Sequence, residues 1–372
     1  MKILLIVSSY APNTGGLQTV TQQLASALRE RGHSLTVVAN RYPRTLAASE
    51  VLDGGQVIRW HFLTPRLQQL LSLRFDLFLA GLLYLPLTLA RLIFLLRQER
   101  PDVVNLHFVG APALFVLIAR SLMAFRLVVS LHGDDVEGLA QRARFDRWVF
   151  SSVLRRAETV TACSRYLLDT ALGIEPSVKQ NALVIHNGID QPANASAVDI
   201  TGGVFAAGRM VPKKGFDVLL RAHATDPTRS QLTLIGEGPE RERLEQLARA
   251  LGMNGEVRFR GNQDHAQVME EMAVADVVAI PSLKEPFGLI ALEAMSLGKP
   301  IVASRVGGLP EVLEGADALL VEPGNADELS VAIDGVRKRL RDDPKFGVRN
   351  RELARRFSTE RMVDSYLQAY QG

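Results

Sequence analysis

Two glutamates separated by seven residues, Glu285 and Glu293, flank the segment Pro286-Phe287-Gly288-Leu289, and carboxylates so placed can accept hydrogen bonds from vicinal hydroxyls. The apolar pattern predicts a helix beginning near Phe287, with Ile290, Ala294 and Leu297 on its apolar face and Glu293 on a neighbouring one. The first turn of such a helix presents unpaired N–H groups and the positive end of the dipole, which suits a phosphate. Upstream, Gly208, Arg209, Lys213, Lys214 and Gly215 lie between a β-rich run and a helix beginning near Phe216. An arginine fork and a lysine charge within one turn, at the carboxyl end of a strand, form a clamp for a diphosphate. Exposed surface charges are the alternative for the arginine and lysines, with the clamp preferred; Glu293 alone fits a solvated helix residue, whereas the whole glutamate set favours the binding reading.

The N-terminal half offers thinner chemistry. Gly15 and Gly16 stand just before a helix predicted over 17–31, where a bare backbone lets an anion approach, although the pair also fits an ordinary tight turn and no G-x-G-x-x-G is present. His132 follows the apolar run 127–131, and strand ends of an open α/β sheet are where ligands bind, so it is placed to touch substrate. Asp134 and Asp135 fit a metal pair or a helix cap with Glu137, and the cap is preferred. His107, at another strand end, is read as structural.

The elements that must position these residues alternate between short β-branched runs and longer amphipathic stretches, the pattern of parallel strands joined by crossover helices. Strands are predicted over 3–8, 35–39, 57–62, 103–107, 127–132, 159–162 and 183–186, then over 203–207, 231–235, 257–260, 277–281, 301–304 and 318–321. Two such series, each headed by a strand and a glycine-bearing turn, predict two doubly wound domains with a junction over 191–201. A final amphipathic helix is predicted over 358–370.

The chain has 372 residues, enough for two domains at about 100 to 200 residues each. A hydrophobic fraction of 47% and a charged fraction of 22% exclude gross disorder, and a net charge of +3 argues against binding nucleic acid through bulk charge. The single cysteine, Cys163, and the five-residue apolar run after Lys2, too short for a signal peptide, favour a reducing, cytoplasmic location.

Taken in order along almost the whole chain, six motifs resemble those of the retaining glycosyltransferases of family 4, which have the GT-B fold. They are Gly15-Gly16, Leu131-His132-Gly133, Asn187-Gly188-Ile189-Asp190, Gly208-Arg209 through Lys214-Gly215, Glu285 through Glu293, and Gly307-Gly308-Leu309-Pro310-Glu311. The resemblance implies two doubly wound Rossmann-like α/β domains facing a central crevice. These would be an acceptor-side domain over 1–192, a nucleotide-sugar domain over 200–356, and a last helix over 357–372 crossing back to the first. It further implies a hexosyltransferase-type enzyme that uses a nucleotide-diphosphate sugar, with no cofactor and no metal. Carried over by position, Arg209 and Lys214 would hold the diphosphate, Glu293 the ribose and Glu285 the sugar hydroxyls. The amides of Phe287, Gly288 and Leu289 would line sugar and phosphate, Gly15 and Gly16 would cover the phosphate, and His132 would bond the transferred sugar. The loop after 257–261 would receive the base. Catalysis would then fall to His132, Arg209, Lys214 and Glu285, by stabilising a departing diphosphate and an oxocarbenium-like sugar.

Other GT-B enzymes, such as a disaccharide phosphorylase or a nucleotide-sugar epimerase, and a sugar-nucleotide-binding protein without transfer activity, fit the same binding motifs. A further feature bears on the acceptor. Residues 59–100 hold six arginines (59, 66, 74, 91, 97 and 100) against Asp76 and Glu99, around an apolar run over 77–96. Two readings fit: a buried helix ahead of the strand 103–107, which is preferred, or a helix in the headgroup region of an anionic bilayer, gaining about 1 kcal/mol per basic residue. The second reading puts the enzyme at the inner face of the membrane, in peripheral contact, with a lipid-linked or cell-envelope glycan as acceptor.

Overall fold

The computed structural model describes residues 1–13, 15–52, 54–66, 69, 72–190, 202–226, 228 and 230–372, so the junction expected over 191–201 lies outside the described residues. Two compact units emerge, Met1–Gly188 with Thr359–Gly372, and Ile189–Ser358. Each is a Rossmann-like α/β sandwich, as the alternating pattern predicts.

In the N-terminal unit the order is β1 (Lys2–Val7), α1 (Gly16–Glu30), β2 (Ser34–Asn40), β3 (Ser49–Leu52), β4 (Gly55–Trp60), α2 (Phe75–Glu99), β5 (Val103–His107), α3 (Ala113–Leu122), β6 (Arg126–Leu131), α4 (Asp134–Glu137), α5 (Arg144–Arg155), β7 (Thr159–Ala162), α6 (Arg165–Ile174) and β8 (Ala182–Val184). The sheet order is β3-β4-β2-β1-β5-β6-β7-β8, with β1, β5 and β6 buried along almost their whole length, as parallel strands covered on both faces must be. Among the described strands of this sheet only β3 runs antiparallel, against β4. The sequence pattern misses it because this four-residue edge strand is only half-buried and lacks an apolar run.

Two expectations for residues 59–100 are corrected. Arg59 is not a surface charge: it is 2% exposed, with Glu50 Oε1 at 2.5 Å, and it donates to the Ala11 carbonyl at 2.5 Å. The apolar run forms α2, and this helix is not buried, since Phe75, Leu79, Leu82, Leu83, Leu87 and Phe94 are exposed. Among the described residues it is the one helix long and apolar enough to cross a membrane. Its other face packs inward through Gly81, Thr88, Leu92, Leu95 and Leu96.

The C-terminal unit runs β9 (Val204–Ala207), α7 (Phe216–His223), β10 (Leu232–Ile235), α8 (Arg241–Ala250), β11 (Val257–Phe259), α9 (His265–Ala273), β12 (Val277–Ile280), α10 (Leu289–Ser296), β13 (Ile301–Ser304), α11 (Leu309–Val312), β14 (Ala318–Val321), α12 (Ala326–Asp342) and α13 (Asn350–Ala354). Its sheet is wholly parallel in the order β11-β10-β9-β12-β13-β14. Leu219 and Leu220 of α7, Leu244 of α8 and Val336 of α12 join the strand residues in one core, each fully buried leucine contributing about 1.5–3 kcal/mol relative to exposure. The last helix, α14 (Thr359–Gln371), packs on the N-terminal unit: the Asn105 side chain donates to Tyr370 Oη at 2.8 Å, and Arg31 pairs with Asp364.

Candidate functional site

In the C-terminal unit β9 and β12 are neighbours, so the turns leaving their carboxyl ends lie side by side. The β9 turn carries Gly208 to Gly215 and the β12 turn carries Ser282 to Gly288. Lys213 accepts at its carbonyl from the Leu283 amide, 2.8 Å away, stitching one turn to the other. Gly215 closes the first turn at φ +64°, where a Cβ would fall 2.1 Å from the Pro281 carbonyl oxygen, so both the left-handed backbone and the close approach require glycine.

This stitching brings Lys214 onto Glu285. Lys214 Nζ lies 2.6 Å from Glu285 Oε2, and Ser282 Oγ donates to the same oxygen at 3.3 Å. Glu285 is 8% exposed, so a buried carboxylate and a half-buried ammonium hold one another. Its backbone is held as well: the Gly308 amide donates to the Glu285 carbonyl at 2.9 Å, and Gly307, at φ +60°, passes so close that a Cβ would sit 1.9 Å from that oxygen. The Gly307-Gly308-Leu309 motif is thus the floor under Glu285. Arg209 is exposed at the start of the turn.

The helix expected from Phe287 starts two residues later. Gly288, in a left-handed conformation, is its N-cap, so Phe287 lies in the turn and α10 begins at Leu289. Its buried residues are Ala291, Leu292, Ala294, Met295 and Ser296, so the expected Ala294 is buried while Ile290 and Leu297 are only half-buried. Glu293 is half-buried and accepts from His265 Nε2 at 3.0 Å. This neighbour raises the His265 pKa, chiefly through the hydrogen bond to Glu293, against burial. Sequence reasoning missed His265 although a signal was present: it opens a helix whose capping box, Asp264 with Gln267, is legible.

In the N-terminal unit Gly15 is the N-cap of α1 and Gly16 its first residue. His132 follows β6, and the β5–β6 register, which pairs His107 with Ser130, carries its side chain to His107. His107 Nδ1 and His132 Nε2 are 3.0 Å apart and the rings stack at 5.2 Å. Burial pulls the His132 pKa down to about 4 and that of His107 well below its ordinary range, which favours the neutral form of both rings, one ring nitrogen donating to the other. His107 is wholly buried and packs against Tyr366 of α14, which fits its structural reading.

The Asp134-Asp135 expectation needs correction. Neither side chain caps α4, whose N-cap is Gly133. Instead Asp135 is buried and accepts from the amides of Val109 (3.1 Å), His132 (3.2 Å) and Gly133 (2.8 Å). Burial raises its pKa while these three bonds oppose the rise. The carboxylate therefore ties the β5 and β6 ends together and sets the backbone at His132. Among the described residues no group of three or more His, Cys, Asp or Glu side chains is placed to hold a metal ion.

A separate concavity of about 390 Å³ in the C-terminal unit is lined by Gly203, Gln231, Asp276 and Arg337. It opens at the amino ends of β9, β10 and β12, opposite the turns just described. Its Arg337 is engaged internally, with Asp226 at 2.8 Å and Ser230 at 2.5 Å, and so serves the fold.

Comparison with known proteins agrees with this layout. Residues 14–191 match the family described as Glycosyltransferase Family 4, and residues 203–352 match Glycosyl transferases group 1. The N-acetyl-alpha-D-glucosaminyl L-malate synthase of Bacillus anthracis is 27% identical, over 100% of this chain and 97% of its own. The lipopolysaccharide core biosynthesis glycosyltransferase LpsD of Rhizobium meliloti is 39% identical over 45% of this chain and 48% of its own. Among solved structures, the sucrose-phosphate synthase of Thermosynechococcus elongatus superposes with a TM-score of 0.81 at 22% identity, covering 100% of this chain and 98% of that one. HepE of Anabaena in complex with UDP superposes with a TM-score of 0.79 at 23% identity, covering 100% of both chains.

Proposed function

Taking this chain as a GT-B-fold glycosyltransferase with a family-4-like N-terminal part, we propose that it transfers a sugar, with retention, from a nucleotide-diphosphate sugar to a hydroxyl of a lipid-linked or cell-envelope glycan. The observation that carries the donor half of this reading is the Lys214–Glu285 pair at 2.6 Å, in two turns stitched together at the carboxyl ends of neighbouring strands. A cation and a carboxylate side by side match the two ends of such a donor, one for the diphosphate and one for the sugar hydroxyls. The acceptor half draws support from relatives named for lipopolysaccharide core biosynthesis.

In this mechanism Arg209 and Lys214 hold the diphosphate and take up the negative charge that grows on its bridging oxygen as the glycosidic bond breaks. Glu285 orients Lys214 and accepts from the sugar hydroxyls, and the amides of Phe287, Gly288 and Leu289 donate at the N-terminus of α10. Glu293, steadied by His265, accepts from the ribose hydroxyls. Gly15 and Gly16 cover the phosphate, and neutral His132 donates to the transferred sugar. The acceptor hydroxyl attacks on the face the diphosphate leaves, passing its proton to a departing phosphate oxygen, which retains the anomeric configuration without an enzymic nucleophile.

The deciding measurement is release of nucleoside diphosphate from a panel of nucleotide sugars, with and without lipid-linked or glycan acceptors, with the product anomer read by NMR. Acceptor-dependent release with a retained anomer is the expected result. Inversion, or turnover that requires inorganic phosphate, overturns the reading.

A further inference from the structure

Helix α2 is 25 residues long, about 37 Å at 1.5 Å per residue, and only one of its faces is used by the fold. Gly81 packs against the backbone of Thr64 and Pro65, and Thr88 Oγ1 donates to the His61 carbonyl at 3.0 Å. These contacts fasten the helix along the surface of its unit, so it does not span a bilayer. The other face shows Phe75, Leu79, Leu82, Leu83, Leu87 and Phe94, at the spacing of a single helical stripe. Leu79 is 63%, Leu83 60% and Phe94 68% exposed. Contiguous apolar surface of this kind marks an interaction site.

The charges around the stripe say what covers it. No charged residue occurs from Leu77 to Ala90. Arg74 stands at one end, Arg97 and Arg100 at the other, and Arg91 on a flank, all exposed, while Asp76 is held 3.4 Å from Arg74. With Asp76 taken up by Arg74, the exposed arginines outnumber the remaining carboxylate, Glu99, so an antiparallel second copy would meet a like net charge whereas an anionic surface meets an opposite one.

A second exposed apolar group lies on the same helical layer. Helix α2 packs on α3, and α3 on α5. At the start of α5, Phe145 and Trp148 stack with centroids 5.8 Å apart, both exposed, between exposed Arg144 and Arg147. Arg66 joins this turn to the loop beneath α2 through Asp146 at 3.1 Å. An indole beside arginines is the composition of a membrane–water interface, where the ring sits at headgroup level and guanidinium groups reach phosphate.

We propose that the open face of α2, with Phe145 and Trp148, docks this protein onto an anionic lipid bilayer, the helix lying in the interface plane with its leucines among the acyl chains and its arginines at the headgroups. The inference goes beyond the transfer reaction, and its test uses no turnover. The whole chain is sedimented with vesicles of phosphatidylglycerol and phosphatidylcholine, or of phosphatidylcholine alone, at low and high salt. Binding is expected to the anionic vesicles only and to fade with salt. The chain has two tryptophans, and Trp60 is 9% exposed, so a blue shift of emission on binding reports Trp148. The double variant Leu79→Glu/Leu83→Glu is expected to weaken binding about tenfold or more, since each leucine forfeits its burial. Arg91→Glu/Arg97→Glu is expected to weaken it about tenfold at low salt only. Circular dichroism and the melting temperature of both variants establish that the fold is intact. Absence of binding to anionic vesicles at low salt overturns the proposal, as does equal binding to neutral vesicles. Self-association that the leucine variant abolishes, with no vesicle binding, assigns the face to a second copy and also overturns it.

Discussion

In the C-terminal unit the residues assigned to the donor come from two turns, 208–215 and 282–288, and the first two turns of α10, and they touch: Lys214 meets Glu285 and Gly308 holds the Glu285 carbonyl. In the N-terminal unit the single assigned side chain, His132, is set by His107 on the neighbouring strand, Asp135 at its amide and, behind His107, Tyr366 of the last helix. The same strand–turn–helix plan thus yields one unit whose assigned side chains pair charge with charge across two turns, and one whose assigned side chain is an imidazole held by a second ring and by its own backbone.

The sharpest way to break that comparison is to remove the charges of the first turn. Arg209→Ala or Lys214→Ala is expected to lower kcat at saturating donor by roughly 10² or more, because each cation acts on charge that grows only as the diphosphate leaves. Near wild-type turnover in both variants would remove the diphosphate from this turn.

The N-terminal unit should fail in stability. Asp135→Ala leaves the amides of Val109, His132 and Gly133 buried without an acceptor, and a loss of about 3 kcal/mol or more is expected at one to three for each unsatisfied group. Chemical denaturation measures it; a change under about 1 kcal/mol would mean that the carboxylate does not tie the strand ends together.

A smaller effect separates binding from chemistry within the C-terminal unit. Glu293→Ala is expected to raise the donor KM about tenfold while kcat stays within a few-fold, the signature of an interaction made equally in ground and transition states. An equal fall in kcat with unchanged KM contradicts a ribose-binding role.

The His265–Glu293 contact gives a pH-dependent increment. The folded-state pKa of His265 is raised, so the stability it adds is complete below the ordinary histidine value and is lost as pH rises through the folded value. The His265 side chain is 63% exposed, and solvent screening holds the increment to about 0.5 kcal/mol. Melting temperatures of the wild type and His265→Asn across pH 5 to 9 should therefore converge at the alkaline end. A gap that widens there reverses the sign and rules the ion pair out.

The smallest expected effect is none. Two cations stand at the proposed diphosphate site, so activity should survive a chelator unchanged. Loss on chelation with recovery on adding magnesium or manganese would return attention to Asp134 and Asp135.

Sequence alone determined the strands of both units apart from β3, and the alternation of strand with helix, since β-branched runs and amphipathic stretches report burial on a sheet. It also singled out the turns 208–215 and 282–288, because glycines at forced backbone positions and charges beside them are written next to each other. It could not supply Lys214 on Glu285, since those residues are 71 apart and meet only because β9 and β12 are neighbours in the sheet. The His107–His132 contact depends likewise on the β5–β6 register, and the role of Asp135 on where two strand ends converge. For α2, composition predicts burial, and only tertiary packing decided otherwise. A helix apolar on all sides can be covered on just as many sides as the fold has elements to offer, and here the fold offers one.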